Sequence, residues 1–207
     1  MEWPGEEKAW DALEHSDPDN ITSRSGSTYS QDLKTYTLPC LGHEIIISVN
    51  DRSFSASSEL GTFFLTEFGR FSRLSILNYL TNAKDVPLSG SYIRPSDISG
   101  GDIFIKGTHT LPLERISEAF GNNSNAFMKN GDILGAQKAT YGDMSLILSP
   151  FPRIPLLLIV WTGDDEFPSK SSLLFDSTCT FHLATDILWS TAMMTIGMML
   201  QMPSAPG

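Results

Sequence analysis

Two cysteines in 207 residues, Cys40 and Cys179, are too few for an iron–sulfur cluster within the chain. They also lack the CxxC spacing of a zinc site, and their separation suits two buried, reduced thiols. Basic residues are scarce as well. The chain has 14 Lys and Arg against 24 Asp and Glu, a formal net charge of -10. Nucleic-acid binding draws on clustered Lys and Arg, and no cluster occurs, so nucleic acid is not an expected partner. Anionic membrane surfaces are disfavoured on the same ground. No apolar run is long enough to span a bilayer, because the longest, Leu188 to Leu200, falls short of the usual span and follows Asp186. The start, Met1-Glu2-Trp3-Pro4-Gly5-Glu6-Glu7, has neither the basic region nor the apolar stretch of a signal peptide, and a cytoplasmic location is expected. GxGxxG, GxxxxGK[ST], GxSxG and HExxH are all missing, which removes the phosphate loops, the nucleophile elbow and the zincin helix.

What remains is a chain of 41% hydrophobic residues. That is enough apolar material for a core without disulfides or structural metals. An acidic lead-in with a polar connector occupies residues 1–30, a single domain residues 31–202, and a short tail residues 203–207. Glu6 to His15 places Trp10 and Leu13 on one helical face. Lys34 to Leu38 and Glu44 to Val49 predict a hairpin turning through Cys40-Leu41-Gly42-His43, with a third strand near Asp51 to Phe54. Phe68, Phe71, Leu74, Leu77 and Leu80 recur every three residues and predict an amphipathic helix. Asp102 to Ile105 reads as a short strand, Leu111 to Phe120 and Asn125 to Leu134 as helices, and Met144 to Leu148 as a strand. The continuous apolar run from Ile154 to Trp161 predicts a central strand covered on both faces, with Ser172 to Phe175 returning as its partner. A last helix is expected from about Leu183 to Met199. Strands in two groups, with helices between and after them, make the fold class α+β with a mainly antiparallel sheet.

Several residues could carry chemistry. Asp164, Asp165 and Glu166 form an acidic turn between two apolar strands. They would serve as ligands for a hard cation or as an acid–base pair, or simply keep a hairpin tip solvated. His182 and Asp186 are four apart, which on one helix puts both on one face as metal ligands or a proton relay. The alternative is that Asp186 favours the helix dipole and His182 merely flanks the terminus. Asp176 stands on the neighbouring strand. His109 follows Gly107 and lies downstream of Gly100 and Gly101, where a ligand could approach the backbone, although a lone His here is more often a capping or satisfied surface group. Arg153 opens the buried strand and would hold a substrate carboxylate or pair with a nearby acid. If these eight residues surround one cavity, they make a pocket. Met193, Met194, Met198, Met199 and Met202 hold five of the eight methionines, suited to core packing or to a homodimer or protein-partner surface.

The stretches Phe151 to Leu158 (FPRIPLLL), Trp161 to Pro168 (WTGDDEFP) and Leu173 to Asp176 (LLFD) carry a family resemblance. Leu77 to Leu80, Gly100-Gly101 with His109, Phe120-Gly121, Gly142-Asp143 and His182-Leu183 with Asp186 support it. The chain resembles a domain family of unknown function from anaerobic bacteria and archaea, over roughly Lys34 to Trp189. Some members resemble fusions to a small iron–sulfur module, which this sequence lacks. The resemblance implies a setting in anaerobic redox or one-carbon metabolism rather than an activity. Three functions are weighed: a cofactor- or redox-partner-binding accessory module, a metal-dependent enzyme built on Asp164, Asp165, Glu166 and His182, and a structural interaction domain.

Overall fold

A computed structural model of the chain describes residues 4–201. Met202 and the expected tail 203–207 lie outside the described residues. Helix α1 (Pro4–Glu14) carries Glu6 and Glu7 in its first turn, where carboxylates oppose the helix dipole favourably, and buries Trp10 and Leu13. The stretch from Ser16 to Ser30 is more than a connector. Asp17 caps a helix α2 (Pro18–Ser25) by accepting the Asp19 N–H, and Gly26 ends it at φ 71°. Strands β1 (Thr28–Ser30), β2 (Thr35–Cys40), β3 (His43–Ser48) and β4 (Ser53–Ala56) then form an antiparallel meander in sequence order. Helices α3 (Glu59–Glu67) and α4 (Arg70–Asn82) follow.

The second half builds around strand pairing at a distance. β5 (Tyr92–Ile93) is an edge strand, and α5 (Leu113–Phe120) and α6 (Ser124–Ile133) cross before β6 (Gln137–Ala139), β7 (Met144–Phe151), β8 (Ile154–Trp161) and β9 (Lys170–Asp176). Their sheet runs β5-β9-β8-β7-β6, every pairing antiparallel. β8 is central, and its residues from Ile154 to Val160 are all buried, which is why the run reads as continuously apolar. The short α7 (Cys179–His182) and the long α8 (Thr185–Gln201) end the described chain. The fold is α+β with two antiparallel sheets.

Three sequence expectations are corrected. Asp102 to Ile105 is not a strand, since Gly101–Phe104 forms a 3-10 turn that buries Phe104. The predicted face of α4 is not one face. A step of three residues falls about 60° short of a full turn, so Phe71 and Leu80, nine residues apart, stand on opposite sides. Leu80 is fully buried and Phe71 is 44% exposed. The last helix does not run through residue 183, because Leu183 is extended (φ -138°, ψ 145°) and separates α7 from α8. The lead-in 1–30 also contributes Trp10, Leu13 and Ile21 to the same core as both sheets.

Two joints hold the layers. At the β2–β3 turn, Leu41 (φ 47°) and Gly42 (φ 76°) both adopt left-handed backbone, as a two-residue hairpin requires. The Leu41 N–H donates to the Ser149 carbonyl on β7, and a Cβ at Gly42 would stand 3.0 Å from the Gly135 nitrogen. The first sheet thereby abuts the second through backbone contacts. At the other joint the Tyr79 hydroxyl donates to the Ser25 carbonyl at 2.8 Å and accepts the Arg153 N–H at 3.1 Å, while its ring stacks on Phe151 at 4.7 Å. Helix α8 packs against α4, α5, α6 and β7 and buries Met194, Met198 and Met199. Most of its methionine face is therefore spent on this chain's own core.

Tyr79→Phe tests the second joint. It keeps the ring stack but leaves the Ser25 carbonyl and the Arg153 N–H unpaired, and it should cost about 1–3 kcal/mol in urea unfolding. An unchanged midpoint would show that the joint contributes nothing.

Candidate functional site

The sequence-predicted site residues lie in three places. Asp164, Asp165 and Glu166 occupy the turn after β8. Asp164 Oδ1 accepts the N–H groups of Glu166 (2.9 Å) and Phe167 (2.7 Å), so one carboxylate is spent on shaping the turn. Asp165 and Glu166 are exposed. A hollow of about 520 Å³ beside the turn is lined by Phe167, Lys170 and residues of α5 rather than by these carboxylates.

Arg153, Asp176 and His182 gather at the opposite end of the sheet, one β8 strand away, a distance of about 23 Å. Arg153 holds carbonyls. Its side chain donates to Arg24 and Ser23 at the end of α2 and to Val86 in the loop after α4, and pairs with Asp85 at 2.9 Å. Asp176 accepts bonds from Ser89 N–H and Oγ, Gly90 N–H, and Thr178 N–H and Oγ1. Burial alone would raise its pKa, but these hydrogen bonds outweigh burial and hold the carboxyl below its usual range. His182 is buried, and its Nδ1 accepts the Lys84 N–H at 3.2 Å. The proton of the neutral ring therefore sits on Nε2, which meets no acceptor among the described residues. Burial and the Arg153 charge both lower its pKa. These three residues anchor the loop between α4 and β5, and His182 also borders a hollow of about 360 Å³ with Asn78, Lys84 and Phe181. Among the described residues, no group of three or more His, Cys, Asp or Glu is placed to hold a metal ion.

His109 and Asp186 form the third place, and the break at Leu183 is what separates Asp186 from His182. They line a cavity of about 390 Å³ between the start of α4, the start of α8 and the segment from Ile103 to His109. Its walls are Phe71, Leu74, Ile103, Ile187 and Trp189, with Arg70 and Glu6 also present. The Trp189 indole N–H donates to the His109 carbonyl, and the two rings meet edge to face at 4.9 Å. Phe71 stands 6.2 Å from Trp189, and the Arg70 guanidinium lies 5.3 Å from the Phe71 ring centre. A second hollow of about 260 Å³ shares Phe71, Trp189 and Ser190 and continues to Phe68, Met193 and Met194. Cavities of this size, mostly apolar with a few polar groups, suit small organic ligands.

Sequence reasoning found His109 and Asp186 but missed Phe71 and Trp189. The available signal was the spacing Asp186, Trp189, Ser190 and Met193, which puts a carboxylate, an indole, a hydroxyl and a thioether along one side of α8. Both cysteines are buried and unpaired. Burial raises each thiol, Cys179 to about 12, so neither is a thiolate at neutral pH.

No helix among the described residues is long and apolar enough to cross a membrane. A family model described as Domain of unknown function (DUF3786) matches residues 17–198. That span includes Phe71, His109, Asp186 and Trp189 and leaves out only the Gly5–Glu6 edge of the cavity. No curated protein and no solved structure matches the chain.

His182 and His43 are both held below their ordinary 6.5 by burial. The unfolded chain therefore takes up protons at these rings before the folded chain does. Stability is full above pH 6.5 and falls as the pH drops below it, through the lowered folded-state values. Urea unfolding across that range should show the decline, and His182→Asn should flatten part of it while keeping an acceptor near the Lys84 N–H. An identical slope in the variant would show that His182 titrates alike in both states.

Proposed function

The chain belongs to this domain family of unknown function, and we propose that it is a ligand-binding accessory module whose site is the Phe71–Trp189 cavity. The observation that carries the reading is Trp189. Its side chain is only partly buried, it is bracketed by His109 and Phe71, and its one polar atom is already bonded to a protein carbonyl. An indole fixed in this way presents a rigid apolar face to whatever enters. The fitting ligand is flat and mostly apolar, of bicyclic to tricyclic size, lying against aromatic edges. The anaerobic redox or one-carbon setting implied by the resemblance gives such a module a role as a carrier or sensor of a cofactor fragment. We place it in the cytoplasm, with no role for nucleic acid.

A protein-docking reading of the same face draws on the continuation past Met193, a half-buried and adaptable side chain. The aromatic enclosure around Trp189 favours the small ligand.

A panel of flat aromatic molecules (naphthalene, quinoline, pterin and flavin derivatives) tests the proposal by thermal shift and by quenching of Trp189 fluorescence. A saturating binder should raise Tm by roughly 5–10 °C. Trp189→Ala should abolish that rise, and Trp161→Phe, at the far strand end, should leave it intact. A panel with no responder, or a Trp189→Ala protein that responds like the parent, would refute the assignment.

A further inference from the structure

We infer that the Phe71–Trp189 cavity selects an organic cation, with Asp186 as its counter-charge. The inference rests on the cavity being a ligand site and adds the charge of the ligand. Asp186 is in the first turn of α8, and Trp189 and Ser190 are three and four residues further on, so all three share one side of the helix and one cavity wall. The Asp186 side chain is exposed and makes no ion pair or hydrogen bond among the described residues. No Lys or Arg occurs from Ser171 to Gly207, so its own helix supplies no counter-charge.

The walls suit a cation as well. With its N–H occupied, Trp189 has only its ring to offer, and an indole ring is the best aromatic partner of a positive charge. The protein already uses this interaction in the same cavity, where the Arg70 guanidinium rests on Phe71. That contact assigns Arg70 to the Phe71 wall and leaves the Trp189–Asp186 wall for the ligand. A second carboxylate, Glu6, borders the cavity with its side chain 14% exposed, and is only loosely paired with Arg73 at 3.7 Å. The net charge of -10 adds a long-range attraction for cations. A carboxylate beside apolar walls gains most from a partner that brings both a charge and an apolar body, because a small hydrated cation would leave the walls wet. The ligand class is thus a quaternary or protonated amine, or a cationic heteroaromatic ring, attached to a flat apolar group.

Three naphthalene probes of matched shape separate the possibilities: 2-naphthylmethyl-trimethylammonium, neutral 2-naphthylmethanol and anionic 2-naphthoate. Calorimetric titration at low salt should give a Kd for the ammonium at least ~10-fold below that of the alcohol, with the naphthoate weakest. Asp186→Asn should bring the ammonium to within about 3-fold of the alcohol and leave the alcohol unchanged. Should that variant fail to fold, the parent protein decides: raising the salt should weaken the ammonium and spare the alcohol. Equal binding of all three probes, or a preference that survives both Asp186→Asn and high salt, overturns the inference while leaving the cavity as a ligand site. Binding by none of the three overturns the inference together with the site.

Discussion

Arg153 is the constraint around which this molecule is arranged. A guanidinium that is largely buried must find acceptors for its donors, and here they are mostly main-chain carbonyls from α2 and from the loop after α4, with one carboxylate at the rim. Its own N–H goes to Tyr79, whose hydroxyl returns to α2. A single residue at the β7–β8 turn thus joins the second sheet, the best-buried helix of the first half and the lead-in. Further along the chain, beyond β8 and β9, Asp176 and His182 tie the same loop from the other side. The charged residues that looked catalytic on paper at this end of the sheet are the ones that hold the loop.

That arrangement explains how the sequence could be read and misread. The β8 run was legible because burial on both faces leaves an unbroken apolar signature, and the hairpin through Leu41-Gly42 because two-residue turns demand left-handed backbone. For helix α4 the spacing predicts the helix but not its buried face. A three-residue repeat resembles an amphipathic stripe locally and winds round the helix over its length, carrying Phe71 out of the core and into the cavity wall. His182 and Asp186 looked paired because a four-residue spacing presumes one continuous helix, and the extended backbone at Leu183 breaks it. Half of the candidate cavity, His109 and Asp186, was therefore visible as isolated polar residues. The aromatic half was hidden, since Phe71 and Trp189 are indistinguishable from core residues until the neighbours that fail to cover them are known.

The division between the two ends of the second sheet is also one of chemistry. At the Arg153 end the charges are hydrogen-bonded, shielded and structural. At the Trp161 end, Asp165 and Glu166 are exposed. The cavity belongs to neither end. It forms where the starts of α1, α4 and α8 meet the turn before His109, and where packing leaves aromatic rings with edges uncovered. The proposed ligand site thus lies on the helical layer, with the sheets beneath it.

The Leu41–Gly42 tip has a bearing on how such a domain can change. Because the Leu41 N–H is bonded to β7 and Gly42 lies against the backbone at Gly135, this turn has no room for an extra residue or a side chain. A hairpin tip is ordinarily the cheapest place for a lineage to add sequence, and here it behaves as an interior position. An added residue is more easily taken up in the exposed turn at 163–168 than at this tip or in the 85–91 loop, which Arg153 and Asp176 hold by hydrogen bonds.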